Sequence, residues 1–344
     1  MPIPAHPPGT DPAQILRYRD RQYAAELIAT ALLHFDFFTW LYDFDEADNA
    51  AIAQEFGFAE RPLDVLLTLC RANGFISTRD GRHSLSSSGS EHLVKSSPWF
   101  LGPYYEPIRD TPIVEAYLKV LATGKPANWQ AKDDGNDWHE SMLSEGFAQS
   151  FTALMNCRGM AFGQTLAAKT APLIGERTRL LDVGGGSGIY AGTMSTAIPQ
   201  LQGTVLEQSP VDSIARMEIE SHGLSDRIEV VTADMFNDTW PETDVVLLSN
   251  VLHDWDFPEV RALLEKAAAA LDSDGLVIIH EAFLHDNKTG PLPVAEYSAL
   301  LMNITQGKCY TPREYGEILE ELGFKVGPYV DTIADRGFMT ALKR

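Results

Sequence analysis

The 344-residue chain has little cysteine, little positive charge and no long apolar run, and each scarcity disfavours a class of protein. Three cysteines at unrelated spacings do not suit a disulfide framework, so we expect a reducing, cytoplasmic compartment. Lys and Arg number 27 against 48 Asp and Glu, and the net charge of −21 disfavours nucleic acid and anionic membrane as partners. The apolar runs are too short to cross a bilayer, and the proline-rich first ten residues do not read as a signal peptide.

The most informative segment is residues 180–188, where an apolar strand pattern ends in an acid and then in four glycines within five positions. Glycines allow a tight turn and a close ligand, and the helix that follows offers free N–H groups. Gly186, Gly188 and Ala191 also fit the dinucleotide fingerprint, so an NAD-dependent oxidoreductase is one alternative. Asp182 argues against it, because a carboxylate there would repel a pyrophosphate. It favours a cofactor with a cationic end, such as S-adenosylmethionine.

More acids follow at the ends of the next predicted strands. Glu207 ends a second strand, 25 residues after Asp182, and is placed to accept from both ribose hydroxyls, a device that oxidoreductases share. Asp234 ends a third strand and is placed for an adenine amino group, with Met235 and Phe236 to cover the ring. Because open α/β sheets bind ligands at the carboxyl ends of their strands, we expect these residues to share one site.

The chain resembles the S-adenosylmethionine-dependent methyltransferases of the caffeate and acetylserotonin O-methyltransferase type. The resemblance covers most of the sequence and rests on several motifs in order: the glycine loop, Ala-Asp-Met-Phe at 233–236, Val-Leu-His-Asp-Trp at 251–255, the stretch 281–291 and Gly-Lys-Cys-Tyr-Thr at 307–311. It implies that His253 is the general base and that Glu281 orients it, with Asp254 also at the catalytic site. It further implies that Asn250 contacts the cofactor, along with the loop glycines Gly184, Gly185, Gly186 and Gly188.

One position departs from the family. The resemblance implies a second orienting carboxylate where this chain has Cys309, and a neutral thiol cannot raise the pKa of a histidine or fix its tautomer. O-methylation of a small aromatic or polyketide-like hydroxyl is the leading hypothesis, since phenols ionise readily and base assistance contributes only part of the rate. The alternative is C-methylation of an activated carbon, such as a 2-oxo acid or an electron-rich ring, with possible help from a metal. The identity of the acceptor stays open.

Histidines near the motif do not have the spacing of a metal site. His253, His280 and His285 follow no recognised ligand pattern. His280 and Glu281 are adjacent on a predicted strand, so their side chains point to opposite faces. We therefore expect no metal ligands, with His280 packed or hydrogen-bonded and His285 in a loop.

The predicted fold is α/β, a seven-stranded Rossmann-like class I methyltransferase domain preceded by a mainly helical winged-helix domain. The last two strand patterns, 324–331 and 337–343, are joined by too short a connection for a parallel crossover, so the final strand should run antiparallel. We divide the chain into an N-terminal dimerisation domain (1–105), a helical linker with acceptor-pocket helices (106–170) and a cofactor-binding catalytic domain (171–344). A polar loop at 132–137 connects the two halves.

The N-terminal pattern of helices (24–40, 47–56 and 61–72) and a hairpin (75–85) indicates a winged helix. Such a domain can bind DNA, and Arg61, Arg71, Arg79 and Arg82 lie near its recognition helix and wing. The acidity of the chain disfavours that function. The resemblance implies instead that this domain forms a homodimer.

The acceptor pocket is the least determined part of the site. The resemblance places it against a predicted helix at 147–162, with Phe151, Met155 and Phe162 as candidates. A second predicted helix at 295–306, with Met302 and Asn303, is a further candidate for the same cavity. A small-molecule acceptor suits an apolar pocket with a few polar groups.

Overall fold

The computed structural model of the chain describes residues 2–4, 6–127 and 142–344. The predicted connecting loop at 132–137 lies outside the described residues. The described residues form two compact units that interleave along the chain: one contains 2–4, 6–14, 142–283 and 312–344, and the other contains 15–127 and 284–311. The three predicted domains are a division along the sequence and stay a prediction. Below, the two units are called the sheet unit and the helical unit.

Up to residue 127 the described elements are mostly short helices. In chain order they are α1 (Ala13–Asp20), α2 (Ala24–Ala29), α3 (Phe37–Phe44), strand β1 (Ala47–Asp48), α4 (Asn49–Phe56), α5 (Glu60–Ala72), strands β2 (Ile76–Arg79) and β3 (Arg82–Leu85), α6 (Ser87–His92), α7 (Gly102–Tyr105) and α8 (Pro112–Thr123). The predicted helices at 47–56 and 61–72 and the hairpin at 75–85 are confirmed to within a few residues. The strands pair antiparallel in the order β1-β3-β2, which completes a winged helix.

One predicted helix is wrong in its extent. The apolar pattern at 24–40 indicates a single helix, but the structure has α2, a π-helical turn at Thr30–His34, and then the separate helix α3. Asp36 between them has φ of +51°, in the left-handed region. Because that conformation does not continue a right-handed helix, the chain must change direction there.

The remaining elements begin with a long helix. They are α9 (Glu145–Ile174), β4 (Arg179–Val183), α10 (Ile189–Ala197), β5 (Gln202–Glu207), α11 (Val211–Ser221), β6 (Ile228–Thr232), β7 (Thr243–Ser249), α12 (Phe257–Ala270), β8 (Leu271–Glu281), α13 (Leu292–Ile304), α14 (Pro312–Glu321), β9 (Phe324–Val326), β10 (Val330–Asp331) and β11 (Gly337–Lys343). Helix α13 packs on α5 within the helical unit. The strands from β4 onward form the central sheet of the sheet unit.

The central sheet has the order β10-β11-β8-β7-β4-β5-β6, with β9 also paired to β11. Strands β4 to β8 are parallel neighbours, and β11 runs antiparallel to β8, as predicted. The predicted strand at 324–331 is divided into β9 and β10, and Pro328, which has no N–H to donate, lies between them. Glycine and polar residues therefore follow the carboxyl ends of β4, β5, β6, β7 and β8 at one edge of the sheet.

Helices α9 and α10 approach each other closely through glycine. A Cβ on Gly159 would lie 2.5 Å from Cγ2 of Ile189, and a Cβ on Gly163 would overlap the side chain of Thr193. Real side chains do not tolerate such a contact, so both positions require a residue without a Cβ at this helix separation. Helix α10 begins directly after the glycine loop, and α9 therefore packs against the helix that the loop leads into.

A charged cluster stabilises the helical unit. The carboxylate of Asp64 on α5 accepts from Nζ of Lys288 at 2.8 Å and from Nζ of Lys308, and Arg71 lies 4.0 Å from it. Burial of Asp64 works against ionisation, but the charges of Lys308 and Lys288 outweigh it and lower the pKa of Asp64 to about 2. Two distant segments are thereby tied to one helix through a single ionised carboxylate.

Asp64→Asn should lower the free energy of unfolding by about 2 kcal/mol at neutral pH, because a carboxyl pKa held below its unfolded value stabilises the fold. Because the pKa of Asp64 is lowered on folding, the direction of the pH dependence follows. The contribution is complete above the unfolded pKa of about 4, and it is lost as the pH falls toward the folded pKa. Urea unfolding of both proteins across that range measures it, with the exposed Asp43→Asn as a control. A constant difference down to the lowest pH would contradict the electrostatic origin.

The basic residues of the winged helix are largely engaged within the helical unit. The guanidinium of Arg61 is buried and donates to the carbonyl oxygens of Met302, Gly307 and Gly124. Arg82 donates to the carboxylate and to the carbonyl oxygen of Glu46. A DNA backbone would have to compete for these groups, which adds to the charge argument against DNA binding.

Among the described residues, no single helix is long and apolar enough to cross a membrane. The bent pair of helices at 24–34 and 37–44, taken together, has the length and the apolar composition of a membrane span.

Candidate active site

His253 lies in the short 3₁₀ turn Leu252–Asp254 that follows β7, and Glu281 is the last residue of β8. The two strands are parallel neighbours, with Ser249 opposite His280, so both strands end at the same level. His253 is 3% exposed and Glu281 is 1% exposed. The sheet therefore brings together the histidine and the acid that the sequence analysis paired.

The carboxylate of Glu281 holds both the ring and the backbone of this turn. Its Oε2 takes a close hydrogen bond from Nδ1 of His253. Its Oε1 accepts from the backbone N–H groups of Val251 and Leu252, both at 3.1 Å, and of His253 at 3.4 Å. Because Nδ1 donates to the carboxylate of Glu281, the basic lone pair of neutral His253 lies on Nε2.

A second carboxylate also lies beside the histidine. Oδ1 of Asp254 is 3.6 Å from Nε2 of His253. Burial alone would lower the pKa of His253, but the charges of Glu281 and Asp254 outweigh it, and the net direction is upward. Cys309, where the resemblance implies the second acid, is a buried residue of the helical unit, and its backbone N–H donates to Oγ of Ser298 at 3.0 Å. The sheet unit thus supplies two carboxylates near His253 without position 309.

The glycine loop folds around Asp182. This side chain is 1% exposed and accepts from the backbone N–H of Ala191 at 3.1 Å, at the start of α10. Burial raises its pKa to about 7. A Cβ on Gly185 would lie 2.8 Å from the Asp182 carboxylate, whereas Gly186, with φ of +59°, has nothing within 4 Å of its Cβ position. The Asp182 carboxylate therefore fills the space next to Gly185, whereas the space next to Gly186 is open.

The acids predicted to bind an adenosine lie beyond the loop. Glu207 accepts from the backbone N–H of Gly186 at 3.0 Å and from that of Gln208 at 2.9 Å, which fixes its carboxylate against the loop. Asp234 accepts from the backbone N–H of Phe236 and from the side-chain amide of Asn237. Sulfur of Met235 lies 3.9 Å from the Cβ position of Gly184. These contacts place Glu207 and Met235 next to the glycines, and Asp234 directly precedes Met235 in the chain.

The strand order arranges these groups in a row. Read across the sheet in the order β6, β5, β4, β7 and β8, the polar groups are Asp234, Glu207, Asp182, Asn250 and Glu281 with His253. Neighbouring strands are about 4.8 Å apart, so the row extends over roughly 19 Å. Acids with hydrogen-bond capacity occupy one end of this row, and the histidine occupies the other.

Sequence reasoning missed a polar cluster behind the row. Nδ2 of Asn250 donates to the hydroxyl of Tyr190 and to Oγ of Ser249, both at 3.1 Å. Ser249 is in turn 2.9 Å from Nδ1 of His280, whose Nε2 is 3.3 Å from Oγ1 of Thr332. His280 is thus hydrogen-bonded, as expected. No sequence motif marks Tyr190, which has the pattern of an ordinary buried helix residue.

The five acceptor-pocket candidates are divided between the units. Phe151, Met155 and Phe162 lie on α9 of the sheet unit, and Phe162 is fully buried with the guanidinium of Arg158 5.8 Å from its ring centre. Met302 and Asn303 lie on α13 of the helical unit and are fully buried. Within the described residues, the side-chain amide of Asn303 has no hydrogen-bond partner. Pocket roles for these residues stay a prediction.

Over residues 2–4, 6–127 and 142–344, no three His, Cys, Asp or Glu side chains come together as a possible metal site.

Comparison with known proteins identifies the family. Residues 120–325 match the O-methyltransferase domain. The chain is 33% identical to the 3-hydroxy-5-methyl-1-naphthoate 3-O-methyltransferase of Streptomyces sahachiroi, over 81% of this chain and 80% of that protein. It is 29% identical to the L-tyrosine C(3)-methyltransferase of Streptomyces lavendulae, over 79% and 76%. The crystal structure of an O-methyltransferase family 2 protein from Planctomyces limnophilus, in complex with apigenin, matches with a TM-score of 0.87 and 27% identity over 100% of both chains. The chain therefore belongs to the O-methyltransferase family and is an S-adenosylmethionine-dependent methyltransferase.

Proposed function

We propose that this enzyme methylates a hydroxyl of a small aromatic or polyketide-like metabolite, with His253 as the general base. The observation that carries the proposal is the hydrogen bond between Nδ1 of His253 and the carboxylate of Glu281. It directs the basic nitrogen of the ring, Nε2, away from the carboxylate that holds it. A substrate of the Streptomyces sahachiroi relative, a hydroxynaphthoate, is an example of the acceptor class.

The row of polar groups supports one orientation of the methyl donor. Asp234 and Glu207 supply acceptors for the adenine amino group and the ribose hydroxyls, and Gly186 leaves open space beside them. Asp182 and Asn250 follow on the next two strands of the row, and a cationic methionine end would lie near them, with the charge of Asp182 close by and the amide of Asn250 within reach. When bound, S-adenosylmethionine supplies an electrophilic methyl group. The methionine end of the donor would then lie toward the side of the row that carries His253.

The contribution of His253 is proton transfer. Nε2 takes the proton of the acceptor hydroxyl, and the resulting oxyanion is the better nucleophile for the methyl carbon. Glu281 stabilises the imidazolium that forms, because its carboxylate stays within hydrogen-bond distance of Nδ1. Three backbone N–H groups hold that carboxylate in place, so the base is aimed before the substrate arrives.

The test is transfer of a ¹³C-labelled methyl group to a panel of phenols, hydroxynaphthoic acids, hydroxyquinones and 2-oxo acids, with the product read by NMR. We expect an oxygen-bound methyl group on a hydroxyaryl acceptor. A carbon-bound methyl group would replace the proposal with its alternative, C-methylation, which the similarity to the tyrosine C(3)-methyltransferase favours. Failure to bind S-adenosylhomocysteine would contradict the placement of the donor site.

We further propose that the enzyme is a homodimer formed through its N-terminal domain. Several large apolar side chains of that region are exposed: Ile15, Tyr18, Trp99, Leu101 and Tyr104, the last at 84%. Exposed apolar groups in such number indicate a surface that another protein covers. A second copy of this chain is the partner that the family resemblance implies. Among the described residues, Cys70, Cys157 and Cys309 form no disulfide, in keeping with the proposed cytoplasmic location.

The double variant Trp99→Ser/Tyr104→Ser should be a monomer, because it removes two exposed aromatic anchors from the proposed interface. Light scattering after gel filtration would give the wild type at about twice the chain mass of 38.0 kDa, and the variant near the chain mass itself. Met217→Ser, which removes an exposed apolar side chain from the sheet unit, should stay dimeric. A monomeric wild type, or a dimeric double variant, would contradict this interface.

A further inference from the structure

The amide oxygen of Asn250 is a buried acceptor that lacks a hydrogen-bond partner among the described residues. Asn250 itself has φ of +54°, a conformation that the sharp exit from β7 imposes on a side-chain-bearing residue. Its backbone N–H is satisfied by the carbonyl oxygen of His280. An unpaired buried amide oxygen costs free energy that a ligand donor can recover. The site beside Asn250 is therefore suited to a hydrogen-bond donor.

One pattern of donors and acceptors satisfies the whole cluster. The two hydrogens on Nδ2 of Asn250 go to the oxygens of Tyr190 and Ser249. Ser249 can accept from Asn250 and donate its own hydrogen to Nδ1 of His280. Neutral His280 then carries its hydrogen on Nε2 and donates to Oγ1 of Thr332. The chain of donors is self-consistent from Asn250 to Thr332.

Charge supports the same assignment. His280 is fully buried, and burial together with the charges of Arg336 and Arg158 lowers the pKa of His280 to about 3. The ring is therefore neutral at physiological pH and has an acceptor nitrogen for Ser249. Turning the amide of Asn250 over would leave two donor hydrogens unpaired in place of one acceptor. Tyr190, Ser249 and His280 thus fix which end of the amide faces away from the cluster.

The position of Asn250 in the row indicates which donor it meets. Cγ2 of Val251, the next residue, lies 3.2 Å from the Cβ position of Gly184, and β7, which ends just before Asn250, pairs with β4, which ends just before the loop. The groups proposed for ribose and adenine lie on β5 and after β6, on the far side of β4. Asp182, the other candidate on this side, is covered by Gly185 and already accepts from Ala191. The methionine end carries an ammonium, and the amide oxygen of Asn250 is a suitable acceptor for it.

We propose that Tyr190, Ser249 and His280 are positioning residues that hold the amide of Asn250 with its oxygen toward the ammonium of the methyl donor. This inference rests on the proposed donor orientation and deepens it. The three residues do not touch the donor. They act through Asn250, whose amide they keep from rotating, so the ammonium meets an acceptor that is already oriented.

The experiment measures binding by calorimetry for two ligands, S-adenosylhomocysteine and its analogue that lacks the amino group. Asn250→Ala should weaken the binding of S-adenosylhomocysteine by about ten- to a hundredfold, as expected for the loss of a hydrogen bond to a charged group. The affinity for the analogue should be almost unchanged. Tyr190→Phe should weaken the binding of S-adenosylhomocysteine by about fivefold, again with little effect on the affinity for the analogue. Tyr329→Phe, which removes a hydroxyl that bonds Asp331, is the matched control.

A double-mutant cycle separates positioning from a general structural role. In the Asn250→Ala background, Tyr190→Phe should have no further effect on either ligand, because the amide it positions is gone. Equal weakening of both ligands by Asn250→Ala, or additive effects in the cycle, would overturn the inference. If the wild type binds neither ligand, the donor site itself is wrong, and that result is distinct from the first two. Unchanged melting temperatures show that each variant is folded.

Discussion

His253→Ala should lower the rate of methyl transfer by about 10²- to 10⁴-fold at neutral pH, the usual contribution of a positioned general base. The residual rate should rise steeply with pH, because the variant depends on acceptor molecules that ionise in solution. A phenol has a pKa of about 10, so the gap to the wild type should narrow as the pH approaches that value. Turnover at saturating S-adenosylmethionine, measured across this range, gives both results.

Two controls make the His253 result specific. Binding of S-adenosylhomocysteine should be unchanged in His253→Ala, since no proposed donor contact involves this ring. His285→Ala, which alters a loop histidine outside the proposed site, should keep wild-type turnover. Near-normal turnover by His253→Ala on the true acceptor would show that the acceptor ionises without help, and the role of the histidine would have to be abandoned.

Glu281→Gln should reduce the maximal rate by at least about a hundredfold, as loss of the orienting carboxylate does in other histidine-based sites. A glutamine cannot stabilise the imidazolium, and its amide can donate to Nδ1 and move the ring hydrogen to Nε2. The sign of the pH effect is also determined. The charge of Glu281 raises the pKa of His253, so its removal should lower that pKa. The acidic limb of the rate profile should therefore move to lower pH.

The pH profile is the informative measurement for Glu281. The base works only when neutral, and a lower pKa keeps it neutral in more acidic solution, even though the plateau rate is smaller. Glu229→Gln, an exposed change on β6, should alter neither the plateau nor the limb. A smaller plateau with an unmoved limb would mean that Glu281 supports only the backbone turn at 251–253 and does not act on the ring.

The sequence predicted well those features that one segment of chain determines. The glycine loop, the winged-helix pattern and the antiparallel last strand each depend on residues close in sequence, and the structure confirms them. The pairing of His253 with Glu281 spans two strands, and it could be predicted because the motif resembles a known family. The assignment of donor and acceptor roles to these residues stays a prediction that the experiments above test.

The features that the sequence did not reveal depend on contacts between distant elements. Tyr190, Ser249 and His280 come from a helix and two strands, and nothing in their spacing indicates that they share hydrogen bonds with Asn250. The break at Asp36 is local, yet the apolar pattern continues through it, so hydrophobic periodicity alone predicts a continuous helix. The family resemblance predicts Asp254 at the catalytic site, and the structure adds its distance of 3.6 Å from Nε2 of His253.

The close packing of α9 on α10 limits which faces of α9, the predicted acceptor-pocket helix, can vary. Gly159 and Gly163 leave no room for a side chain against Ile189 and Thr193, and α10 starts where the glycine loop ends. Any bulk added on that face would push the loop and the methyl donor out of place. Laboratory evolution, and natural divergence among relatives, should therefore vary the other faces of α9 and keep these two glycines. The range of acceptors could then change while the binding of S-adenosylmethionine is retained.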